Sequence, residues 1–162
     1  MLPRKLAAAL VLALAAAHAE AASKDVGNVQ VTDVAGAVTD VRDINPAGNW
    51  IVILLDADKP ASRAVVLRLR QADVDWNDRL VVVTQGNVTA AQTLRVLGQP
   101  LKHVRWYSSQ DTEPPTKSWG LGGTPAILAV QGNGRIVNAS VGFTESADRN
   151  IAMMRNWIGN TP

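Results

Sequence analysis

The chain contains no cysteine among its 162 residues. That excludes disulfide exchange by its own groups, structural disulfides, thiolate zinc ligation and thioether haem attachment. Histidine is nearly as scarce: His18 falls in the N-terminal apolar run, leaving His103 in LKHVRWY. A Ser-His-Asp triad would depend on His103 alone, and there is no Gly-x-Ser-x-Gly segment to present a nucleophile. His103 reads as an ordinary strand or strand-edge residue. Asp56-Ala57-Asp58 is not followed by the glycine and glutamate of a calcium loop. No charge of one sign dominates, since 16 basic residues face 14 acidic ones, and no Lys/Arg cluster is interleaved with aromatics. The basic pI of about 9.3 reflects that near-balance, and nucleic acid is not an indicated partner. These absences predict no catalytic residue, no cofactor and no metal site.

The apolar run LAAALVLALAAA (Leu6 to Ala17) is too short to span a bilayer and follows Arg4 and Lys5. Ala17-His18-Ala19 and Ala19-Glu20-Ala21 both fit the small-x-small rule for signal peptidase. Residues 1–21 are therefore expected to be a signal peptide cleaved near Ala19 or Ala21. The mature protein is expected to be periplasmic or secreted, without stable membrane insertion. Losing Arg4, Lys5 and Glu20 takes the 16 basic and 14 acidic residues to 14 and 13, a formal charge of +1.

Residues 22–28 are small and polar, a composition expected of a disordered leader. One domain is expected over 29–160. VQVTDV (Val29 to Val34) alternates as a short strand, and Val34, Ala37, Val38, Val41 and Ile44 recur at helical spacing, predicting a short helix stopped by Asn45-Pro46. WIVILLD (Trp50 to Asp56) is a continuous apolar run, as in a strand buried on both faces. An amphipathic helix follows through ASRAVVLRLRQA, then a second buried strand over Arg79 to Thr84. Thr89 to Gly98 predicts a helix with Thr89 as N-cap and Gly98 as C-cap. HVRWYS predicts a further short strand, and residues 108–118 a loop. TPAILAVQ and RIVNASV predict a hairpin about Gly132-Asn133-Gly134, followed by a terminal helix opened by Thr144 or Ser146. Strands alternating with helices and closed by a hairpin predict an α/β fold with a mixed central sheet and helices on both faces.

Three segments carry a resemblance to the thioredoxin-like superfamily, over roughly Val29 to Asn160. WIVILLDADKPASR resembles the strand, loop and helix that bear the family's Cys-x-Pro-Cys, aligning Asp58 and Ala61 with the two cysteines and keeping Pro60. LGGTPAILAVQGNGRIV resembles the segment around the family's cis-proline together with its hairpin, and VGFTESADRNIAMMRNWI resembles the closing helix. The resemblance implies a three-layer sandwich without the chemistry. Neither cysteine position holds a thiol, the family's buried acid falls near Val52, and Ser62 lies one position beyond the second cysteine with no histidine to activate it. A fainter resemblance links the chain to exported thioredoxin-like assembly proteins of F-type conjugative transfer systems. There a Ser-Phe-Ser-Met-Pro segment stands where this chain has LDADKP.

What the resemblance leaves is a groove. It implies that Thr124, before a cis-Pro125, keeps backbone groups open to pair with an extended peptide. Asp58, Lys59 and Pro60 would face it, with Asp56 or Asp58 capping the helix and Lys59 meeting a partner's carboxylate. Trp106, Tyr107 and Trp119, flanking a proline-containing loop, are the aromatic candidates for an exposed patch beside it. The expected function is a non-catalytic module that binds or scaffolds another envelope or secreted protein. The alternative is an accessory of a thiol pathway relying on a partner's cysteines.

Overall fold

The fold is described from a computed structural model covering residues 24–44, 47–97, 101–109, 113–143 and 146–160. Seven strands are β1 (Gln30–Asp33), β2 (Val38–Asp40), β3 (Trp50–Asp56), β4 (Leu80–Gln85), β5 (Val104–Ser109), β6 (Ala126–Val130) and β7 (Ile136–Val141). The helices are α1 (Val41–Ile44), α2 (Pro60–Ala72), α3 (Ala90–Leu97), α4 (Pro115–Ser118) and α5 (Ala147–Gly159). The strands form one sheet in the order β2-β1-β5-β4-β3-β6-β7. Its centre, β3-β4-β5, is parallel, and the flanking pairs are antiparallel.

The apolar runs end up where their composition requires. β3 pairs on both sides, and residues 50–55 are all buried. Its alternate residues feed two cores. Ile51, Ile53 and Leu55 meet Val65, Val66 and Leu69 of α2 and Ile151, Met154 and Ile158 of α5. Trp50, Val52 and Leu54 face Val41 and Ile44 of α1, together with Trp119. The mixed sheet thus has helices on both faces, as the alternation of elements predicted.

Local signals mostly match. Thr89 Oγ1 accepts the Gln92 N–H at 3.1 Å and Gln92 Oε1 accepts the Thr89 N–H at 2.8 Å, a reciprocal cap at the start of α3. The Asn133-Gly134 turn joins β6 and β7, with Gly134 at φ 85°. Ser146 occupies the N-cap of α5 without a side-chain capping bond. Among the described residues no helix is long and apolar enough to cross a membrane. The expected signal peptide, the Asn45-Pro46 stop, Gly98 and Thr144 lie outside the described residues.

Besides the loop expected over 108–118, whose first two residues close β5 and whose Pro115–Ser118 forms α4, two expectations are corrected. The helix predicted through residues 34–44 is instead the β1–β2 hairpin followed by the single turn α1. Asp33 Oδ1 accepts the N–H groups of Ala35 and Ala37 at 2.8 and 2.9 Å, and Gly36 takes φ 92°. This Asx-type turn outcompetes a helix there, and Val34 and Val38 remain exposed. The leader expected to be disordered is ordered in its described part, residues 24–28. The Val26 N–H donates to Gly134 O at 3.0 Å, the Ile136 N–H donates to Lys24 O at 2.7 Å, and Val26 is fully buried. A polar composition concealed one core valine, which with Lys24 is tied to Gly134 and Ile136 at the approach to β7.

Candidate functional site

The parallel strands all end at one side of the sheet. The chain winds outward from β3 through β4 to β5, then returns to β3's other flank as β6. The C-terminal end of β3 is thus where strand order divides, the position at which sheets of this kind leave a crevice. Residues 56–60 occupy it. The Lys59 N–H donates to Asp56 O, and the Asp58 N–H to Asp56 Oδ1 at 3.2 Å. The Asp56 N–H donates to Ser62 Oγ at 3.0 Å. Neither aspartate caps α2: the N-cap is Lys59, which makes no side-chain capping bond, and Pro60 opens the helix. Asp56 closes the turn instead, because its carboxylate reaches the backbone two residues on.

Across the crevice the Thr124–Pro125 peptide bond is cis. Pro125 O accepts the Gly142 N–H at 2.8 Å, which anchors this loop to the end of β7. The N–H and C=O of Thr124 enter no hydrogen bond among the described residues. Lys59 Nζ spans the gap, 3.2 Å from Thr124 Oγ1 and 3.5 Å from Asp56 Oδ2. Of the residues singled out in the sequence, the structure brings Lys59 against Thr124, with Asp58 and Pro60 exposed on the same turn and Pro125 buried behind.

The aromatic candidates do not join them. Trp106 and Tyr107 are consecutive on β5 and so point to opposite faces of the sheet. Trp106 is buried against the α2–α5 side, and Tyr107 is half-buried on the other. Burial pushes the Tyr107 phenol pKa up. Trp119 is only 2% exposed, and its Nε1–H donates to Val26 O at 3.3 Å. The expected exposed patch is therefore corrected to three core or half-core residues. The apolar surface beside the groove is Val141, which is 52% exposed and whose Cγ1 would lie 3.8 Å from a side chain at Gly123. Sequence reasoning missed Val141, Asp56 as the turn-closing residue, and Ser62 as its support.

Chemically the site offers backbone hydrogen-bond groups, the Lys59 ammonium paired with Asp56, the exposed Asp58 carboxylate and an apolar rim. Ser62 is fully buried beneath it. His103 stands just before β5, at the opposite end of the parallel strands, with its Nδ1 2.8 Å from Asp75 Oδ1. It is exposed at the edge of β5, as one of the two sequence readings had it, in a left-handed conformation (φ 48°). Among the described residues the geometry of the site thus provides groups suited to recognition.

No protein-family model and no curated protein sequence matches the chain. Solved structures do. The thioredoxin domain of a thiol-disulfide oxidoreductase from Bacteroides vulgatus superposes with a TM-score of 0.57 at 14% identity, covering 82% of this chain and 96% of that one. A thiol:disulfide interchange protein from Bacteroides sp. gives 0.58 at 14%, over 83% and 91%. An uncharacterized thioredoxin-like protein from Porphyromonas gingivalis gives 0.57 at 19%, over 81% and 90%. At these identities the likeness speaks for architecture. Together with the mixed sheet and the crevice at the end of β3, it establishes that the chain has the thioredoxin-like fold.

Proposed function

We propose that the protein is a non-catalytic binding module that takes an extended segment of a partner protein into the groove between residues 56–60 and 122–125. The observation that carries this reading is Thr124, whose backbone N–H and C=O stand open beside Lys59. An extended segment laid along Thr124 gains main-chain hydrogen bonds, the mode of strand addition. Lys59 has a donor to give an acidic side chain, and Val141 supplies apolar contact. The absence of cysteine leaves such a groove without its own thiol chemistry. The setting we propose is the cell envelope, after export, in an assembly such as conjugative transfer machinery.

Gly122 provides the test, because no heavy atom lies within 4 Å of the place its Cβ would occupy. A photo-cross-linking residue at position 122 should capture a partner in cells, and the same residue at Val34, on the far hairpin, should not. Gly122→Val should keep the fold and raise the partner's Kd at least tenfold, about 1.4 kcal/mol. No adduct at 122, or an unchanged Kd, would remove the groove from the account. Disulfide-reductase turnover by the purified protein would overturn its non-catalytic character.

A further inference from the structure

We infer that the N-terminal strap, Lys24 to Gly27, positions the loop that carries Thr124, acting through Trp119. The inference deepens the reading of the groove and depends on it for its significance, not for its test.

The loop is poorly equipped to hold itself. Three of the five residues from Gly120 to Thr124 are glycine, and glycine restricts the backbone least. Residues 122–124 make no backbone hydrogen bond among the described residues. Its position is therefore set at its two ends. Downstream, Pro125 O accepts the Gly142 N–H and Ala126 pairs with Leu54 of β3. Upstream, the Leu121 N–H donates to Thr116 O at 2.7 Å and Leu121 packs on the same core as Trp119, which ends α4, a helix of four residues that is too short to be stable alone.

The strap adds two ties to Trp119, whose own N–H donates to Pro115 O at 2.9 Å. The indole Nε1–H donates to Val26 O at 3.3 Å, and Lys24 Nζ donates back to Trp119 O at 3.2 Å. Val26 packs in the same core as the Trp119 ring. The Lys24 side chain crosses Gly120, where a Cβ would collide with Nζ. Gly120 also has φ 62°, the left-handed region that favours glycine. The strap is in turn fastened to the start of β7 through Lys24 O and the Val26 N–H. Asp25 pairs with Arg42 Nε at 3.3 Å and accepts the Gly27 N–H at 2.6 Å. A continuous line of contacts thus runs from β7 through the strap and Trp119 to the groove. Ties that place Thr124 are reinforced in return when the groove is filled, because coupling between two sites is reciprocal.

Backbone NMR order parameters test this without any ligand. Trp119→Phe keeps a ring in the core but loses the indole N–H, and Lys24→Met loses only the ammonium. In both, the order parameters of Gly122 to Thr124 should fall from roughly 0.85 to below about 0.6, while β3 and β4 stay unchanged. Lys24→Arg should restore them. If residues 122–124 keep their order in both variants, or if order falls equally throughout the sheet, the inference is overturned. With a partner captured at position 122, its binding should slow amide exchange at Val26 and Ile136. Failure of that capture in the wild type counts against the groove reading, while the order parameters still decide the positioning role.

Discussion

Ser62 is fully buried one position beyond Ala61, and its hydroxyl oxygen takes the Asp56 N–H at the lip of the groove. Replacing it with alanine leaves that donor unpaired, at a cost of about 1–3 kcal/mol. Ser62→Ala should therefore lower the urea midpoint by that equivalent, and a loss below about 0.5 kcal/mol would mean the amide finds another acceptor. At the other end of the sheet, His103 has its pKa raised, first by the hydrogen bond to Asp75 and then by that carboxylate's charge. The Asn77 N–H, followed by His103, holds the Asp75 carboxyl below its ordinary value. The histidine's contribution to stability is complete below its ordinary pKa of 6.5 and is lost as pH rises through the raised folded value. The aspartate's is complete above 3.8 and lost as pH falls through its lowered value. The pair therefore stabilises most between those two ordinary values. Asp75→Asn should return the His103 NMR titration towards 6.5, and its destabilising effect should shrink in alkaline solution to what the Asn77 N–H bond contributes. An unshifted titration would show that the contact is not kept in solution.

Among the elements, α3 depends most on its first turn. It has eight residues, and its reciprocal Thr89–Gln92 cap satisfies two of the amides a helix start leaves open. Thr89→Ala should cost about 1 kcal/mol, read from the thermal midpoint, with Thr89→Ser recovering most of it. This cap was legible in the sequence because capping is local, and so were β3, β4 and β6, whose unbroken apolar runs admit few other placements. The β1–β2 hairpin was not. Its valines and alanine fall three and four apart, as in a helix, and the deciding contacts are the Asp33 carboxylate on two backbone amides and the positive φ of Gly36. Spacing registers apolar side chains but not a carboxylate turning back on its own chain. The tryptophans failed for a different reason. Proximity to a proline loop suggested exposure, whereas strand alternation buries Trp106 and a contact 93 positions away buries Trp119.

For the whole molecule, the crevice was legible as a pairing of two segments, DADKP and GGTP, because fold and groove share the same local pattern. The strap was not, since its reasons lie at the far end of the chain. That distance also orders events in time. Val26 and Lys24 leave the synthesising machinery early, yet they bind Trp119, 93 and 95 residues later. At about 5–20 residues per second, the two sides of the contact emerge roughly 5–20 s apart. Closing so long a loop also carries a larger entropic cost than pairing β6 with β7. In pulse-labelled refolding, the Val26 and Ile136 amides should gain protection after those of β3 and β4. Simultaneous protection would mean that the strap docks with the core. Until the hairpin at Gly134 has formed, the Val26 amide lacks its native acceptor, so the strap should dock only after the strands to which it is fastened.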